Sequence, residues 1–195
     1  MRGSSFSAAV LALVAGTVVL ALPGRAGAAD DNPVCGHSTP ESWAKIAPQF
    51  DGAWTMEHLA GVAMFGPSPM AFPANQSQQI NFNYKDGVLE ATSPGWPQAL
   101  DLRIVDEPKW VPKLPAPTLG HDFVSAEEFA GSVDCPQTEL PRLIGEATVP
   151  VQGMPLHFTY RFMIGLPSVI YGFMHAEAVF NGVPITVDRY VRITR

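Results

Sequence analysis

Two dipeptides constrain this chain more than anything else in it. Asp86-Gly87 and Asn181-Gly182 each lie between runs in which apolar and polar residues alternate. A two-residue type I′ turn needs positive φ at both central positions, which Asn, Asp and Gly accept and most side chains resist. Such a turn also fixes the register of the strands it joins, and register decides which side chains share a face. Around the first turn Tyr84 opposes Leu89 and Phe82 opposes Ala91, while Asn83 and Glu90 share the other side. Around the second, Phe180, Ala178 and Ala176 face Val183, Ile185 and Val187, with Glu177, His175, Thr186 and Asp188 behind. Gln152-Gly153 reads as a third turn. It sets Val149, Ala147 and Leu143 on a face with Leu156, Phe158, Tyr160 and Phe162, and Thr148, Glu146, His157, Thr159 and Arg161 on the reverse. One apolar and one mostly polar face per hairpin is the pattern of an antiparallel sheet wrapped around a core.

Eight strands follow, near 54–65, 78–85, 88–93, 99–106, 143–151, 154–164, 168–180 and 183–194. Thr39-Pro40-Glu41-Ser42 marks the start of a short helix, and Ser125-Ala126-Glu127-Glu128 that of a second. Proline clusters in Gly66 to Pro73 and in Pro108 to Pro117 predict long loops. The expected fold is all-β: an eight-stranded antiparallel up-and-down barrel with a short N-terminal helix and one loop-and-helix excursion over 107–141.

The N-terminus bounds the domain and its compartment. Met1-Arg2, an apolar run from Ala8 to Leu22 and the small residues Ala26-Gly27-Ala28 have the three parts of a secretory signal peptide over residues 1–28, leaving one barrel domain over 29–195. The expected localisation is periplasmic or secreted, with no membrane span in the mature chain. That leader carries two basic residues, Arg2 and Arg25, and no acid, so its removal takes the net charge from −6 to −8. Such a surface repels phosphate backbones, and nucleic acid is excluded as a partner. In an oxidising compartment the only two cysteines, Cys35 and Cys135, are expected to form one disulfide. The eight-strand count places both at the end of the barrel where the first strand begins; a ninth strand between them would send Cys135 to the opposite end.

The first strand opens with Gly52-Ala53-Trp54, after a short helix and ahead of the eight-strand pattern. This resembles the opening motif of the lipocalins and the wider calycin group. The resemblance implies that Trp54 plugs the closed end with an arginine of the last strand packed across it. Arg189 is the first choice, with Arg192 and Arg195 as competitors. It also implies a long first loop over the open mouth, matched here by Gly66 to Gln76. At the junction of the sixth and seventh strands the chain reads Gly165-Leu166-Pro167 in place of the family's Thr-Asp-Tyr, so the resemblance is to a calycin-like barrel more than to a lipocalin proper.

An eight-stranded barrel is either filled by its side chains or holds one small ligand. Small residues on the inward faces (Gly145, Ala147, Gly172, Ala176, Ala178) leave volume, and this topology rings the mouth with Met70, Phe72, Trp96, Val151, Met154, Phe180 and Val183. Methionines and aromatics suit an apolar ligand of imprecise shape. His58, alternating with Trp54 and Met56, points inward with the interior tyrosines Tyr84 and Tyr160, so these three join the ligand-binding set. The expected function is binding of a small hydrophobic or amphipathic ligand. The alternatives are a barrel enzyme of isomerase or cyclase type using His58, and a module acting through the outward aromatics Tyr171, Phe173 and Tyr190. No nucleophile motif, phosphate loop or metal-ligand spacing is present, so no catalytic residue, metal or cofactor is assigned. His175 and Asp188 are expected to oppose each other on the outer face; His121-Asp122 and His37 read as loop residues.

Overall fold

The computed structural model describes residues 32–72, 76–106, 126–151 and 153–195. The leader, the 107–125 stretch with His121-Asp122, Ser125 and Gln152 lie outside the described residues. The chain enters through helix α1 (Pro40–Ile46), capped by the Thr39 hydroxyl, which accepts from the Ser42 backbone N–H, and continued by one 3-10 turn over Ala47–Phe50. The strands are β1 (Gly52–Phe65), β2 (Ser68–Phe72), β3 (Gln76–Lys85), β4 (Val88–Thr92), β5 (Leu100–Ile104), β6 (Arg142–Val151), β7 (Met154–Leu166), β8 (Val169–Phe180) and β9 (Val183–Thr194), with helix α2 (Ala126–Ser132) between β5 and β6.

β1 pairs antiparallel with both β2 and β3, each strand from β3 onward pairs antiparallel with the next, and β9 returns to pair with β1, closing the sheet. β2 and β3 pair in succession along one edge of β1, so together they form a single stave and the barrel has eight. The stretch expected as a mouth loop, Gly66 to Gln76, is corrected here. It turns at Gly66 (φ 56°) and returns at once as β2, with Met70 opposite Ala63 and Phe72 opposite Gly61. Proline in this stretch suggested a loop, but an edge position with no N–H to donate tolerates it.

The turn chemistry holds at the Asp86-Gly87 and Asn181-Gly182 hairpins, and at the third the described glycine also has positive φ. Asp86 and Gly87 have φ of 53° and 83°, Asn181 and Gly182 of 50° and 79°, and Gly153 of 82°. The registers follow: Tyr84 faces Leu89, Phe180 faces Val183, and Ala147 faces Phe158. Below the mouth the interior is solid. Trp54, Met56, Ile80, Phe82, Leu89, Leu102, Leu143 and Phe162 are fully buried, and Phe158, Tyr160 and Phe162 stack at centroid spacings of 6.3 and 5.7 Å.

Trp54 closes the base. Its indole N–H donates to the Phe50 carbonyl at 2.7 Å, and its ring lies against Phe50 and Phe82. The arginine across it is Arg195, whose guanidinium carbon sits 4.7 Å from the ring centroid and which donates to the carbonyls of Gln49 and Asp51. Arg189, the first choice from sequence, is corrected. It faces inward seven residues along from Trp54's level, opposite Gly61, and Arg192 pairs with Glu57 on the surface. The final residue of the chain extends beyond the last paired position of β9, so strand counting gave it no place.

Arg189 answers a different need. The β1–β9 ladder slips between His58 and Gly61, a bulge that takes backbone carbonyls out of the ladder. Arg189 donates from Nε to the Leu59 carbonyl and from Nη2 to that of His58, both at 3.1 Å. Gly61 makes this possible: a Cβ there would overlap the Asp188 carbonyl oxygen and come within 2.8 Å of the Arg189 Cγ.

On the outside of β7–β9, Tyr171, Phe173 and Tyr190 are buried beneath Phe129, Ala130 and Val133 of α2 and the turn that follows it. Phe129 stacks on Tyr171 at 5.3 Å. These outward aromatics are therefore covered and form no exposed patch, so the alternative of a module acting through them has no support from their exposure. Cys35 and Cys135 are bonded at the closed end, with Cα atoms 5.8 Å apart and a sequence separation of 100. Asn32 adds hydrogen bonds to the carbonyls of Val133 and Gly165 beside them.

Gly61→Ala is expected to lower the unfolding free energy by about 3 kcal/mol, measured by urea unfolding, because backbone must move to admit the methyl group. Reducing the disulfide should cost about 4 kcal/mol in the same assay, since a loop of this length loses that much closure entropy on cross-linking.

Candidate functional site

The barrel wall is uneven, and the unevenness makes the pocket. Strands β6 to β9 and β1 have 10 to 14 residues, whereas β4 and β5 have five each. β5 bonds to β6 at only two positions, Arg103 with Ile144 and Ile104 with Leu143. Gly145 lets the strands pass closely just above, where a Cβ would meet Leu102 at 2.6 Å. Beyond that the ladder stops, and the β6–β7 ribbon rises free of its neighbour.

The Gly95-Trp96-Pro97-Gln98 loop folds into this gap. Together with Leu100, Ala147, Val149, Phe158 and Tyr160 it lines a partly open, apolar cavity of about 140 Å³. Trp96 sits over Tyr160 at a centroid distance of 6.5 Å. A cavity of about 150 Å³ accommodates one benzene-sized group, so this one takes the end of a ligand and not a whole lipid. Two larger and more open grooves lie nearby, one polar around Glu146, His157 and Glu177 and sharing Gln98, Ala147 and Phe158 with the cavity, the other around Pro155, Val179 and Pro184.

The sequence-chosen residues divide between two places. Trp96 and Tyr160 meet in the pocket wall. Met70, Val151, Met154, Phe180 and Val183 lie at the same end of the barrel on the hairpin tips, and the backbone of Phe72 pairs with Gly61 on β2. Tyr84 is corrected: it belongs to the closed end, where it meets the Trp43 ring edge-on at 6.4 Å and its backbone N–H donates to Asp51. His58 sits half-buried beside the bulge and is not in the pocket wall. The arrangement in which it would act on a ligand held there is absent. Ala147, Val149, Phe158 and Leu100 were legible as inward-facing, but only the broken β5–β6 ladder makes them a site.

Tyr160 supplies polarity inside this apolar wall. Burial pushes its phenol up to about 12, opposed by the nearby Arg189 guanidinium. Burial in turn lowers Arg189, with Tyr160 opposing. The phenol therefore keeps its proton at any physiological pH.

On the outer face His175 and Asp188 oppose each other as expected, with Nδ1 2.6 Å from Oδ1, and Glu177 lies 3.8 Å from Nε2. The Asp188 hydrogen bond raises the His175 pKa above 6.5, partial burial opposes it, and the charges of Asp188 and Glu177 add to the rise. Thr159 faces His175 from β7 and brings no charge. Among the described residues the three-group metal candidate is Cys35, Cys135 and Glu139, and both its sulfurs are committed to the disulfide. No family model, curated protein or solved structure matches this chain.

A histidine that holds its proton more tightly when folded stabilises fully below its unfolded pKa, and that stabilisation is lost as pH rises through the folded value. The urea midpoint is therefore expected to fall as pH rises above the ordinary histidine range, and Asp188→Asn should flatten the His175 part of that fall. Identical profiles for both proteins would show that the pair contributes nothing.

Proposed function

We propose that the protein is an extracytoplasmic binding protein for a small hydrophobic or amphipathic molecule, whose apolar end occupies the gap between the Trp96 loop and the β6–β7 ribbon. The observation that carries this reading is the apolar cavity of about 140 Å³ at the open end. Aromatic walls with one convergent polar group, the Tyr160 hydroxyl, are the usual composition of a small-molecule site. Desolvation supplies most of the affinity, about 1.5–3 kcal/mol for each side-chain-sized apolar group fully buried, less the cost of ordering. The Tyr160 donor favours a ligand with an oxygen acceptor near its apolar end. The filled interior below Tyr160 limits the ligand to the mouth, so a long molecule would extend outward past the hairpins.

The calycin-like architecture fits this reading: an eight-stave barrel, Trp54 at the base and an arginine across it. The disulfide, together with the absence among the described residues of any helix long and apolar enough to cross a membrane, accords with an exported chain.

Native mass spectrometry of protein purified after export tests the proposal. A co-purifying small molecule is expected on the wild type and at least tenfold depleted in Ala147→Phe, which puts a ring into the cavity. Bare wild-type protein that gains no thermal stability from a panel of apolar and amphipathic compounds would overturn it.

A further inference from the structure

Among the described residues the open end of the barrel carries no charge. Four stretches of chain build it: 59–72 through the β1–β2 turn, 91–100 through the Trp96 loop, 147–156 through the β6–β7 turn and 178–187 through the β8–β9 turn. None contains an Asp, Glu, Lys, Arg or His, in a protein of which 15% is charged. The closed end is unlike it, with Asp51, Lys85, Asp86, Asp106, Arg142 and Arg195. Where the uncharged stretches stop, ionisable groups begin together: Glu146 on β6, His157 on β7, Glu177 on β8 and Asp188 on β9.

The uncharged end is also where the protein exposes its large apolar side chains. Phe65, Met70, Val151, Val179, Phe180 and Val183 all sit there, Val179 at 63% and Phe180 at 54% exposure, and Leu166 at the closed end is the one other described residue of this kind. Those of the β1–β2 and β8–β9 tips adjoin one another. Val179 pairs with Pro184 and Phe180 with Val183, Phe65 lies opposite Ile185, and the Gly66 N–H donates to the Pro184 carbonyl at 2.9 Å, tying adjacent tips together. Pro155 of the β6–β7 hairpin shares a groove with Val179 and Pro184.

We infer that these three hairpin tips dock the protein on an electrically neutral lipid surface, with their exposed apolar side chains entering the boundary between headgroups and acyl chains. Three features favour lipid over a second copy of this chain. The first is depth: three residues of β8 lie beyond Glu177, and at about 3.3 Å of rise each they give an uncharged layer of about 10 Å, the depth to which interfacial segments sink. The second is the backbone. Pro67, Pro69, Pro150, Pro155 and Pro184 present no N–H at the tips, and Gly66 already has its acceptor, so few donors would be stranded where water is absent. The third is charge: none of the four stretches offers an ionised side chain with which a protein partner could form an ion pair to fix its register. The acidic groups behind the tips, Glu146, Glu177 and Asp188, repel an anionic surface, so the docking selects neutral lipid. The inference does not depend on the pocket being occupied.

Flotation of the exported protein, leader removed, with phosphatidylcholine vesicles tests it. Wild type is expected to float with these vesicles and to bind at least tenfold more weakly when half the lipid is phosphatidylglycerol. Phe180→Asp should weaken binding at least tenfold and Leu166→Asp, at the other end, should leave it unchanged. If Phe180→Asp does not fold, Phe65→Asp on the adjacent hairpin replaces it. Hydrogen exchange on unaltered protein should show vesicle-dependent protection at 65–70 and 179–184 and none at 85–88. Wild type that stays unbound, binding unaffected by both substitutions, or protection at the closed end would overturn the inference. So would a dimer in sedimentation that Phe180→Asp dissolves while vesicles leave it intact, since the occupant would then be a second copy.

Discussion

The structure depends on one seam. An antiparallel sheet becomes a barrel only when its first and last strands find each other, and here β1 must pair with β9 across almost the whole sequence. That seam is also where the ladder is irregular. The bulge between His58 and Gly61 increases local twist, which helps the sheet close, but it removes carbonyls from the hydrogen-bond pattern. A buried carbonyl without a partner costs about as much as a lost hydrogen bond, so something must replace what the bulge takes away. Arg189 does so, from the opposite strand, over a glycine that leaves room for it. A buried arginine inside an apolar barrel thus has a structural explanation before any functional one is needed.

From closure follows asymmetry, and from asymmetry the mouth. Long staves on one side and short ones on the other cannot be hydrogen-bonded to their full length, so β6 and β7 outrun β5. The exposed inner face of that ribbon is covered by the Trp96 loop instead of by a strand, which leaves space a ladder would have removed. The same overhang lifts the β6–β7, β8–β9 and β1–β2 hairpins above the belt of Glu146, His157, Glu177 and Asp188. Pocket and apolar tips are two consequences of one unequal cylinder. On the outside, α2 buries Tyr171, Phe173 and Tyr190, and the disulfide anchors the chain beside it. Its base is fixed separately, by Trp54 beneath the Arg195 guanidinium.

Much of this was legible in the residues, for identifiable reasons. The Asp-Gly and Asn-Gly turns set the registers because positive φ at both central positions leaves few alternatives, and alternation then assigned every inward side chain of the hairpins. The disulfide constrained the strand count because a bond between Cys35 and Cys135 requires both at one end. Proline misled at Gly66 to Pro73: it signals a chain that cannot donate, and an edge strand beside β1 meets that condition as well as a loop does. Arg195 was passed over in favour of Arg189 because face assignment by alternation cannot follow a terminal residue past the last ladder pair. Tyr84 was placed with the ligand set because alternation says inward or outward but nothing about height along the axis.

The sequence by itself determined which residues turn, which pair and which face inward, since those are settled by φ preferences and a period of two acting over a few neighbouring residues. Whether an inward position is core, pocket or seam was decided only in three dimensions. Leu143 and Ala147 are both inward residues of β6, yet one is sealed under β5 and the other lines an open cavity, because the ladder between β5 and β6 ends between them. Where a ladder stops depends on how eight staves of different length share one cylinder, and no local pattern in the chain contains that sum.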